Sequence, residues 1–439
     1  TITSTLLDEP FQILPIPWLD TTTDTQKILP ATPTGISFDM ANFFGGMAFP
    51  FFSVVGSFLG LLITFIFNPL LHDAGVLTTW KEGNSTLQTM YANTVDFYLS
   101  FGIGISLAVA GIGIYQMITG MRARKKASFD KVSEVVKPSA PKGGIPRGDL
   151  KTWVTIAVYL GSSAFYIILC GFLLGWNWHG DGDGSGIGLF WVLIFFAVVY
   201  VPFISYVTAR LEGLAGQVLA LPMVKEAAFI LSGYKGLDVW LLPIPLTHNY
   251  GVDCVQYRVA ELLGCSFRSI WKMSLVGVPI IFVFSLIYGQ FIWGLAPIPS
   301  AQYPYAQEMW DFAARNQCLV YSSTNEGYSP FMEAINPLYI GAGFGLGLLT
   351  YMTLAFFGLP VLLLYGTVKG LNQTMPQFVI TQIAGAVFGR FVMARKFGPD
   401  RWRQYSVVLF AGFSCGVGLI MMFATGIKFL ASSVYQLNY

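Results

Sequence analysis

The stretch from Arg210 to Lys272 carries ionisable side chains inside an otherwise apolar sequence. Glu226, Asp253, Arg258 and Glu261 are spread through it, and long apolar runs precede and follow it. Placing a charged side chain at membrane depth is costly, so ionisable residues there usually mark the route of a proton, an ion or a polar solute. We therefore predict that residues 210–272 line a solute pathway.

Prolines and glycines interrupt the same stretch, with Pro222, Pro243 and Pro245 among them. A broken helix frees backbone amides, so it is tolerated at membrane depth only where it is buried in protein or lines a wet cavity. This interpretation predicts a re-entrant region over residues 210–272. A second interpretation stays open, in which two amphipathic helices lie on the membrane surface and their charges meet water and lipid headgroups.

The overall composition indicates a membrane protein. Of the 439 residues, 54% are hydrophobic and only 11% are charged, against about 25% charged in an ordinary soluble domain. This deficit of charge indicates a protein surrounded by a lipid bilayer. The net charge of +2 is close to neutral, so we expect no nucleic-acid partner.

Cysteines and histidines do not form a recognisable metal or disulfide pattern. The five cysteines have no CxxC spacing and the three histidines are far apart, so we expect no metal, no cofactor and no disulfide framework. The loop containing Asp181 and Asp183 begins like a calcium-binding EF-hand. The position that needs a bidentate glutamate is Val192, inside an apolar run, so we expect no calcium there.

Catalytic signatures are also weak. There is no HExxH motif and no pair of histidines, and His248 is a lone candidate base. Catalysis by a membrane-embedded enzyme needs a nucleophile beside a base, or a cluster of metal ligands. We therefore expect that the protein is not an enzyme.

Runs of about 20 apolar residues predict the membrane spans. Residues 1–44 are polar and rich in proline, so we expect them to lie on the surface or to form a re-entrant segment. Residues 45–121 hold the first two transmembrane helices, the first of which ends at Asn68-Pro69, and residues 152–439 hold the rest. The predicted spans are residues 45–67, 91–121, 152–176, 187–209, 273–295, 338–366, 375–394 and 405–430.

The positive-inside rule orients the loops. Residues 122–151 are rich in Lys and Arg, which predicts a cytoplasmic loop. Residues 296–335 contain Arg315 as their only basic residue, which predicts an extracellular loop. Arg210 and Lys272 then lie on the same inner face, so the stretch between them crosses the membrane twice or not at all.

The basic turn RKFGPDRWR (395–403) conflicts with a simple alternation of spans. If residues 338–366 cross inward and residues 375–394 cross outward, this turn lies outside, against the positive-inside rule. Two resolutions stay open. Either the chain breaks at Gly358-Leu359-Pro360 into two half-crossings, or residues 375–394 are re-entrant.

Six phrases between residues 14 and 416 resemble, in their order, the oligopeptide transporter family. They are LPIPWLD (14–20), TGISFDMANFFGG (34–46), GQVLALPMVKEAAFILSGY (216–234), DCVQYRV (253–259), Asn336-Pro337 and RWRQYSVVLFAGFSCG (401–416). Glu226 stands at the acidic position of the family's third phrase. Asp253, Tyr257 and Arg258 are the nearest counterparts of the residues in its fourth phrase.

The chain departs from the family pattern at several positions. Glu226 lies seven residues before Gly233, about one helical turn more than in the family phrase. Met40 follows Asp39 where the family has Trp, and the Lys and His of the fourth phrase are absent. The chain therefore resembles a divergent branch, and the family's substrate preferences are not carried over.

The resemblance implies a secondary-transporter-like helix bundle that imports short peptides, peptide-like solutes or metal chelates by proton-coupled alternating access. Glu226 and Asp253 are the expected proton-coupling carboxylates. Arg258 is expected to bind substrate, by pairing with one of these carboxylates or with a carboxylate of the solute. The other residues expected to bind substrate, through peptide amides, are Asn249, Tyr250, Tyr257 and Asn336.

Members of the family are larger than this chain, which begins with Thr1 rather than Met. The resemblance thus implies that the chain covers a C-terminal part, and that a missing N-terminal half or a homo-oligomer completes the pathway. The expected location is the plasma membrane. Two alternatives stay open: an accessory or structural subunit of a larger complex and, less favoured, a membrane-embedded enzyme.

Overall fold

A computed structural model of the chain describes residues 18–37, 39–127, 148–182, 184, 186–215, 221–242, 248–295, 297–299, 303–371 and 375–435. Parts of several predictions lie outside these residues. They include residues 1–17 of the N-terminal segment, residue 38 of the second family-like phrase, most of the basic loop 122–151, Asp183, residues 216–220 of the third phrase, and the prolines Pro243 and Pro245.

The described chain is almost entirely helical, and it confirms the predicted all-α polytopic membrane protein. The helices, in chain order, are α1 (Thr22–Thr25), α2 (Met40–Ala48), α3 (Phe51–Asp73), α4 (Thr86–Asn93), α5 (Leu99–Ala127), α6 (Thr152–Leu173), α7 (Leu189–Phe195), α8 (Val201–Ala215), α9 (Val224–Ser232), α10 (Asp253–Leu262), α11 (Phe267–Leu295), α12 (Pro304–Tyr321), α13 (Pro330–Ala334), α14 (Pro337–Phe356), α15 (Val361–Leu371), α16 (Pro376–Phe388), α17 (Ala394–Phe397) and α18 (Pro399–Tyr435).

Shorter elements connect several of these helices. Single π-helical turns at Thr94–Tyr98, Phe196–Tyr200 and Gly389–Met393 join α4 to α5, α7 to α8 and α16 to α17. Two 3-10 turns lie at Asp238–Leu241 and Ser322–Thr324. Strands β1 (Leu19–Asp20) and β2 (Gly35–Ile36) pair antiparallel.

Eight segments of the described chain are helical, long and apolar enough to cross a membrane. They are Phe51–Asp73, Thr86–Tyr115, Thr152–Leu173, Leu189–Arg210, Phe267–Gly294, Pro337–Phe356, Pro376–Phe397 and Pro399–Ala424. Each overlaps one of the predicted apolar runs. The protein is therefore an integral, multi-pass membrane protein.

The boundaries of the first span were predicted wrongly. Asn68-Pro69 does not end the helix, since α3 continues through Pro69 to Asp73. Proline cannot donate the backbone hydrogen bond that a helix requires, but a side-chain contact braces this turn, because Tyr98 donates to Asn68 Oδ1 at 2.5 Å. Residues 45–48, predicted as the start of the span, belong to α2.

The chain forms two compact units. The first contains Thr1–Ile105, Pro299–Ala313 and Pro337–Tyr439, and the second contains Ser106–Ile298 and Ala314–Asn336. In the first unit, two pairs of glycines hold α3 and α15 together. The glycines are Gly56 and Gly60 on α3, and Gly366 and Gly370 on α15.

Each of these four glycines lies against backbone atoms of the opposite helix, so a Cβ atom there would overlap a facing carbonyl oxygen. Small residues spaced by four are a common way for membrane helices to approach closely. Gly46 of α2 lies in the same way against α16, and Gly343 of α14 against α5.

Helix directions in the first unit resolve the conflict at the basic turn 395–403. Gly56 of α3 lies against Leu363 near the start of α15 and Gly60 lies against Gly370 near its end, so the two helices run in the same direction. Helix α15 follows directly on the end of α14. The side chain of Arg390, near the end of α16, lies 4.4 Å from the ring centroid of Phe51 at the start of α3. The ends of α14 and of α16 therefore lie at one end of the unit.

A break at Gly358-Leu359-Pro360 makes this arrangement possible, as the first of the two resolutions proposed. Gly358 adopts a φ of +64°, in the left-handed region that glycine tolerates. The 20-residue α14 ends before this turn, and the 11-residue α15 returns after it. The single span predicted at residues 338–366 is therefore wrong.

The described part of the N-terminal segment is tied to two membrane helices of the first unit. Asn93 of α4 donates a hydrogen bond to the backbone oxygen of Ala31 at 2.7 Å. Thr381 of α16 donates to the backbone oxygen of Ser37 at 2.9 Å. Residues 18–37 are thus held beside the first parts of the spans Thr86–Tyr115 and Pro376–Phe397, and these contacts satisfy backbone oxygens of the segment.

Candidate functional site

Between the end of α8 and the start of α11, the described residues of the stretch 210–272 form short helices and turns. Helices α9 and α10 contain nine and ten residues, about 15 Å each at 1.5 Å per residue. The hydrocarbon core of a bilayer is about 30 Å thick, so neither helix spans it alone. Gly233 ends α9 in the left-handed conformation, with a φ of +70°.

The first half of the stretch runs along the span Leu189–Arg210, towards its Leu189 end. Leu221 packs against Ile204 and Val207, near the Arg210 end. In α9, Phe229 is fully buried among residues of α6 and α7. The stretch therefore follows this membrane helix along its length instead of lying beside one end of it.

Glycines mark both ends of this path. A Cβ atom at Gly233 would lie 2.6 Å from the Cα atom of Gly186, just before the Leu189 end of the span. A Cβ atom at Gly251 would lie 2.7 Å from the backbone nitrogen of Ala209, near the Arg210 end. The chain thus reaches one end of the span and returns to the other.

A groove of about 1360 Å³ opens beside the second half of the stretch, residues 250–272, which we call the returning half. Its walls come from α6, α8, α10, the start of α11 and the π turn before α8. Of the predicted substrate-binding residues, Tyr250, Tyr257 and Arg258 line it together. The sequence stretch singled out as a solute pathway therefore contributes one wall of a cavity large enough for a short peptide.

Both apolar and charged side chains line the groove. The apolar wall includes Ile156, Val158 and Leu160 of α6. The charged residues along it are Asp149, Arg258, Glu261, Arg268 and Lys272. Three of these are positive and two are negative, so the groove suits a solute with an apolar part and charged ends.

Arg258 pairs with Glu261 rather than with Glu226 or Asp253. The Arg258 Nη1 atom lies 2.7 Å from Glu261 Oε2, three residues further along α10. The expectation that Arg258 pairs with one of the two predicted carboxylates is therefore wrong. A helix places residues three apart on the same face, which brings the Glu261 carboxylate within reach of the Arg258 guanidinium.

Tyr257 is held in place by aromatic residues of α11. Trp271 donates a hydrogen bond through Nε1 to the Tyr257 hydroxyl at 3.1 Å. The ring of Phe267 packs edge-on against the Tyr257 ring, with centroids 5.2 Å apart. These contacts orient a phenol that can still offer its own O–H to a solute.

Tyr159 and Tyr250 meet at the deep end of the groove. Their rings are edge-on at 6.3 Å, and Tyr159 donates to the backbone oxygen of Ala197 at 2.6 Å. Ala197 lies in a π turn, an irregularity that is frequent at functional sites. Beyond the two rings a smaller cleft of about 50 Å³ continues to Cys170.

The hydroxyl of Tyr250 remains protonated at neutral pH. Burial raises its pKa above the ordinary value of 10.0, and the neighbouring Tyr166 and Asp253 raise it further. Tyr250 therefore acts as a neutral hydrogen-bond donor and acceptor in the groove.

The other predicted residues lie at different distances from the groove. Asn249 donates to Thr208 Oγ1 at 2.8 Å, next to the groove's Tyr250. Asp253 is half-buried and lies one helical turn before Tyr257 on α10. Asn249 and Asp253 do not themselves line the groove among the residues that the structure describes, and neither do Glu226 and Asn336.

Glu226 is half-buried in the first turn of α9. The adjacent Lys225 lies with its Nζ atom 5.3 Å from the ring centroid of Trp240. Glu226 therefore lies in the first half of the broken stretch, which runs towards the Leu189 end of the span. Asp253 lies in the returning half, which borders the groove.

Several residues of the groove were missed by sequence reasoning, above all Tyr159, Ser205, Glu261 and Trp271. Tyr159 and Ser205 lie in ordinary apolar spans, so nothing in the local sequence distinguishes them. Glu261 was noted as ionisable but received no role, although its spacing from Arg258 is the signal for a helical ion pair.

Neither a metal centre nor a nucleophile elbow is found in the part of the chain that the structure describes. No group of three or more His, Cys, Asp or Glu side chains there is placed to hold a metal ion. The spacing GxSxG does occur at residues 412–416. However, Ser414 is an exposed residue in the middle of α18, whereas a nucleophile elbow needs a strand-to-helix turn.

No protein-family model, curated protein or solved structure matches this chain.

Proposed function

We propose that this chain is a secondary active transporter of the oligopeptide-transporter type, which imports short peptides, peptide-like solutes or metal chelates by alternating access. The observation that carries the proposal is the groove beside the broken stretch 210–272, where Tyr250, Tyr257 and Arg258 lie together. Broken helices that border a polar cavity are a recurring way of building substrate sites in secondary transporters.

The groove supports a division of roles among its residues. Arg258 binds a carboxylate of the solute through its planar guanidinium, which matches the geometry of a carboxylate. Tyr250 and Tyr257, with Asn249 beside them, offer donors and acceptors to peptide amides. The aliphatic side chains of α6 contact the apolar part of the solute. Asn336 receives no role in this proposal because it lies outside the groove.

Proton coupling is assigned to Asp253 and Glu226. Asp253 is the better placed of the two, because it lies on α10 directly before Cys254, which lines the groove. Glu226 lies further along the broken stretch, where it would form a second proton position. A carboxylate that gains or loses its proton changes its interaction with nearby solute charges, which links proton movement to solute movement. We place the protein in the plasma membrane.

The experiment is uptake into proteoliposomes that contain only the purified full chain. A panel of labelled short peptides and metal chelates is tested with and without an inward proton gradient. We expect gradient-driven accumulation of at least one member, lowered strongly by Asp253→Asn and less strongly by Glu226→Gln. The matched control is Glu82→Gln, an exposed acidic residue in the loop after α3, which should leave accumulation unchanged.

Accumulation equal to that of the unaltered chain in both Asp253→Asn and Glu226→Gln would remove these carboxylates from the mechanism. Failure of every member of the panel to accumulate would reject transport by the isolated chain.

A further inference from the structure

A second polar pocket lies at the opposite end of the second unit from the groove. Its volume is about 350 Å³, and it is bordered by Lys235, just after Gly233, and by residues 323–333. Gly233 marks the Leu189 end of the broken stretch, whereas the groove borders the returning half near the Arg210 end. The pocket therefore lies where the same broken stretch reaches the Leu189 end of the span.

Hydrogen bonds fix the two walls of this pocket to each other. Trp240 donates through Nε1 to Thr324 Oγ1 at 2.8 Å, and Thr324 Oγ1 donates to the backbone oxygen of Gly236 at 2.8 Å. The backbone N–H of Gly236 donates in turn to the Thr324 carbonyl oxygen at 3.0 Å. These bonds make the pocket a formed part of the fold and not a gap between loose loops.

Three groups in the pocket have hydrogen-bonding or ionic capacity that the described chain does not use. Lys235 and Glu333 both line it, yet neither forms an ion pair with a described residue. The Ser323 side chain is more than nine-tenths buried, and its Oγ atom has no hydrogen-bond partner within the described chain. A buried hydroxyl without a partner is costly, so it marks a place where a bound group belongs.

The chemistry of these groups defines the ligand. An ammonium and a carboxylate that face one pocket without pairing can each bind the opposite charge of one solute. Met332 offers a flexible apolar contact. The pocket has room for a free amino acid and is too open to exclude its side chain.

We propose that this pocket is a binding site for a small zwitterion, in which Lys235 holds the carboxylate and Glu333 holds the ammonium group. Its place in transport rests on the proposed function, because a site at the Leu189 end of the span would receive the solute at the end of the pathway opposite to the groove. Binding itself requires no transport and is measured without it.

The experiment is isothermal titration calorimetry of the purified full chain in detergent, with L-leucine as the probe. Its two single-charge analogues are 4-methylpentanoate, which lacks the ammonium group, and 3-methylbutylamine, which lacks the carboxylate. We expect leucine to bind and both analogues to bind about tenfold or more weakly, since each loses one charge-assisted hydrogen bond.

Variants identify which residue holds which charge. Lys235→Gln should weaken leucine binding by about tenfold or more and leave the weak binding of 3-methylbutylamine unchanged. Glu333→Gln should weaken leucine binding equally and leave the weak binding of 4-methylpentanoate unchanged. The control Glu326→Gln, an exposed acidic residue on the same loop, should bind leucine like the unaltered chain.

Three results would overturn this site: no leucine binding by the unaltered chain, equal affinity for leucine and both analogues, or unchanged leucine binding in both charge variants. Loss of leucine binding in Arg258→Gln alone would place the ligand in the groove and would also overturn it. Leucine binding without gradient-driven uptake of any solute would instead reject the proposed function and leave this site standing.

Discussion

At the scale of single residues, the ion pair between Arg258 and Glu261 is weak enough to open for the charged solute that we propose. The Arg258 side chain is 64% exposed, and exposed pairs at this helical spacing contribute only about 0.2–1 kcal/mol. A solute carboxylate can therefore displace Glu261 at little cost. The internal pair keeps the guanidinium oriented when no solute is bound.

The substitution Arg258→Gln should separate binding from stability. We expect the free energy of unfolding to change by less than about 1 kcal/mol, because the lost pair is exposed. We expect the concentration for half-maximal uptake of an acidic-ended solute to rise about tenfold or more, because a charge-assisted hydrogen bond is lost. Unfolding in detergent and proteoliposome uptake measure the two quantities.

Lys272→Gln is the matched comparison for this residue. Lys272 also lines the groove and carries the same charge, but it has no planar fork. An equal rise in the half-maximal concentration for both variants would show that general positive charge matters, and would contradict a specific role for Arg258.

At the scale of helices, glycine decides which elements approach closely. The contact of α3 with α15 depends on glycines on both sides, whereas glycines on α18 such as Gly412 and Gly416 face open space in the described chain. Identical residues in similar apolar sequences therefore have different roles. Only the packing distinguishes a glycine that a neighbour requires from one that lipid can surround.

The substitutions Gly366→Ala and Gly412→Ala should change stability in opposite directions. A Cβ atom at Gly366 overlaps the backbone of α3, so we expect a loss of about 1–3 kcal/mol from overpacking. A Cβ atom at Gly412 meets no described atom within 4 Å, so better helix propensity should stabilise the protein by up to about 1 kcal/mol.

Thermal unfolding of the two variants in the same detergent tests this pair. A Gly366→Ala variant as stable as the unaltered chain would contradict the close approach of α3 and α15. The Gly412→Ala variant controls for the effect of alanine on a membrane helix in general.

At the scale of the whole molecule, the direction of the spans in the first unit follows from the break after α14. Helix α15 has only 11 residues and runs back from the end of α14. As a result, α14 and α16 both end at the end of the unit where α3 begins. The basic turn 395–403 then lies at the same end of the unit as the turn at Gly358. The positive-inside rule places this end of the first unit on the cytoplasmic side.

Cysteine labelling in oriented membrane vesicles checks this direction, in a background where the five native cysteines are replaced by serine. We expect Phe357→Cys and Lys396→Cys to react with an impermeant maleimide from the same side, the cytoplasmic one. Thr78→Cys, in the exposed loop after α3, should react from the other side. Labelling of positions 357 and 396 from opposite sides would show that the span directions are wrong.

Much of the element-level organisation could be predicted from the sequence because burial in lipid requires long apolar runs. Each predicted run overlaps a span of the structure, and the ends differ by up to about ten residues where proline or glycine misleads. Pro69 is an example, since a local rule predicts a helix end there and the contact between Tyr98 and Asn68 braces the turn instead. The break at Gly358 was visible in the sequence as one of two open choices.

The site was predicted less completely. Tyr250, Tyr257 and Arg258 share a groove, as expected for residues of one polar stretch, but their partners come from elsewhere in the chain. Tyr159 on α6 and Trp271 on α11 are brought to them only by the fold. Arg258 pairs within its own helix, where a local contact outweighs a distant one.

By itself the sequence determined that this chain is a membrane protein, because a chain with so few charged residues cannot form the well-solvated surface of a soluble domain. It also determined that residues 210–272 are exceptional, because broken and charged segments are costly in hydrocarbon. Only the tertiary structure decided which side chains face one cavity and which glycines touch a neighbour. Those outcomes depend on contacts between residues far apart in the chain, which no local pattern records.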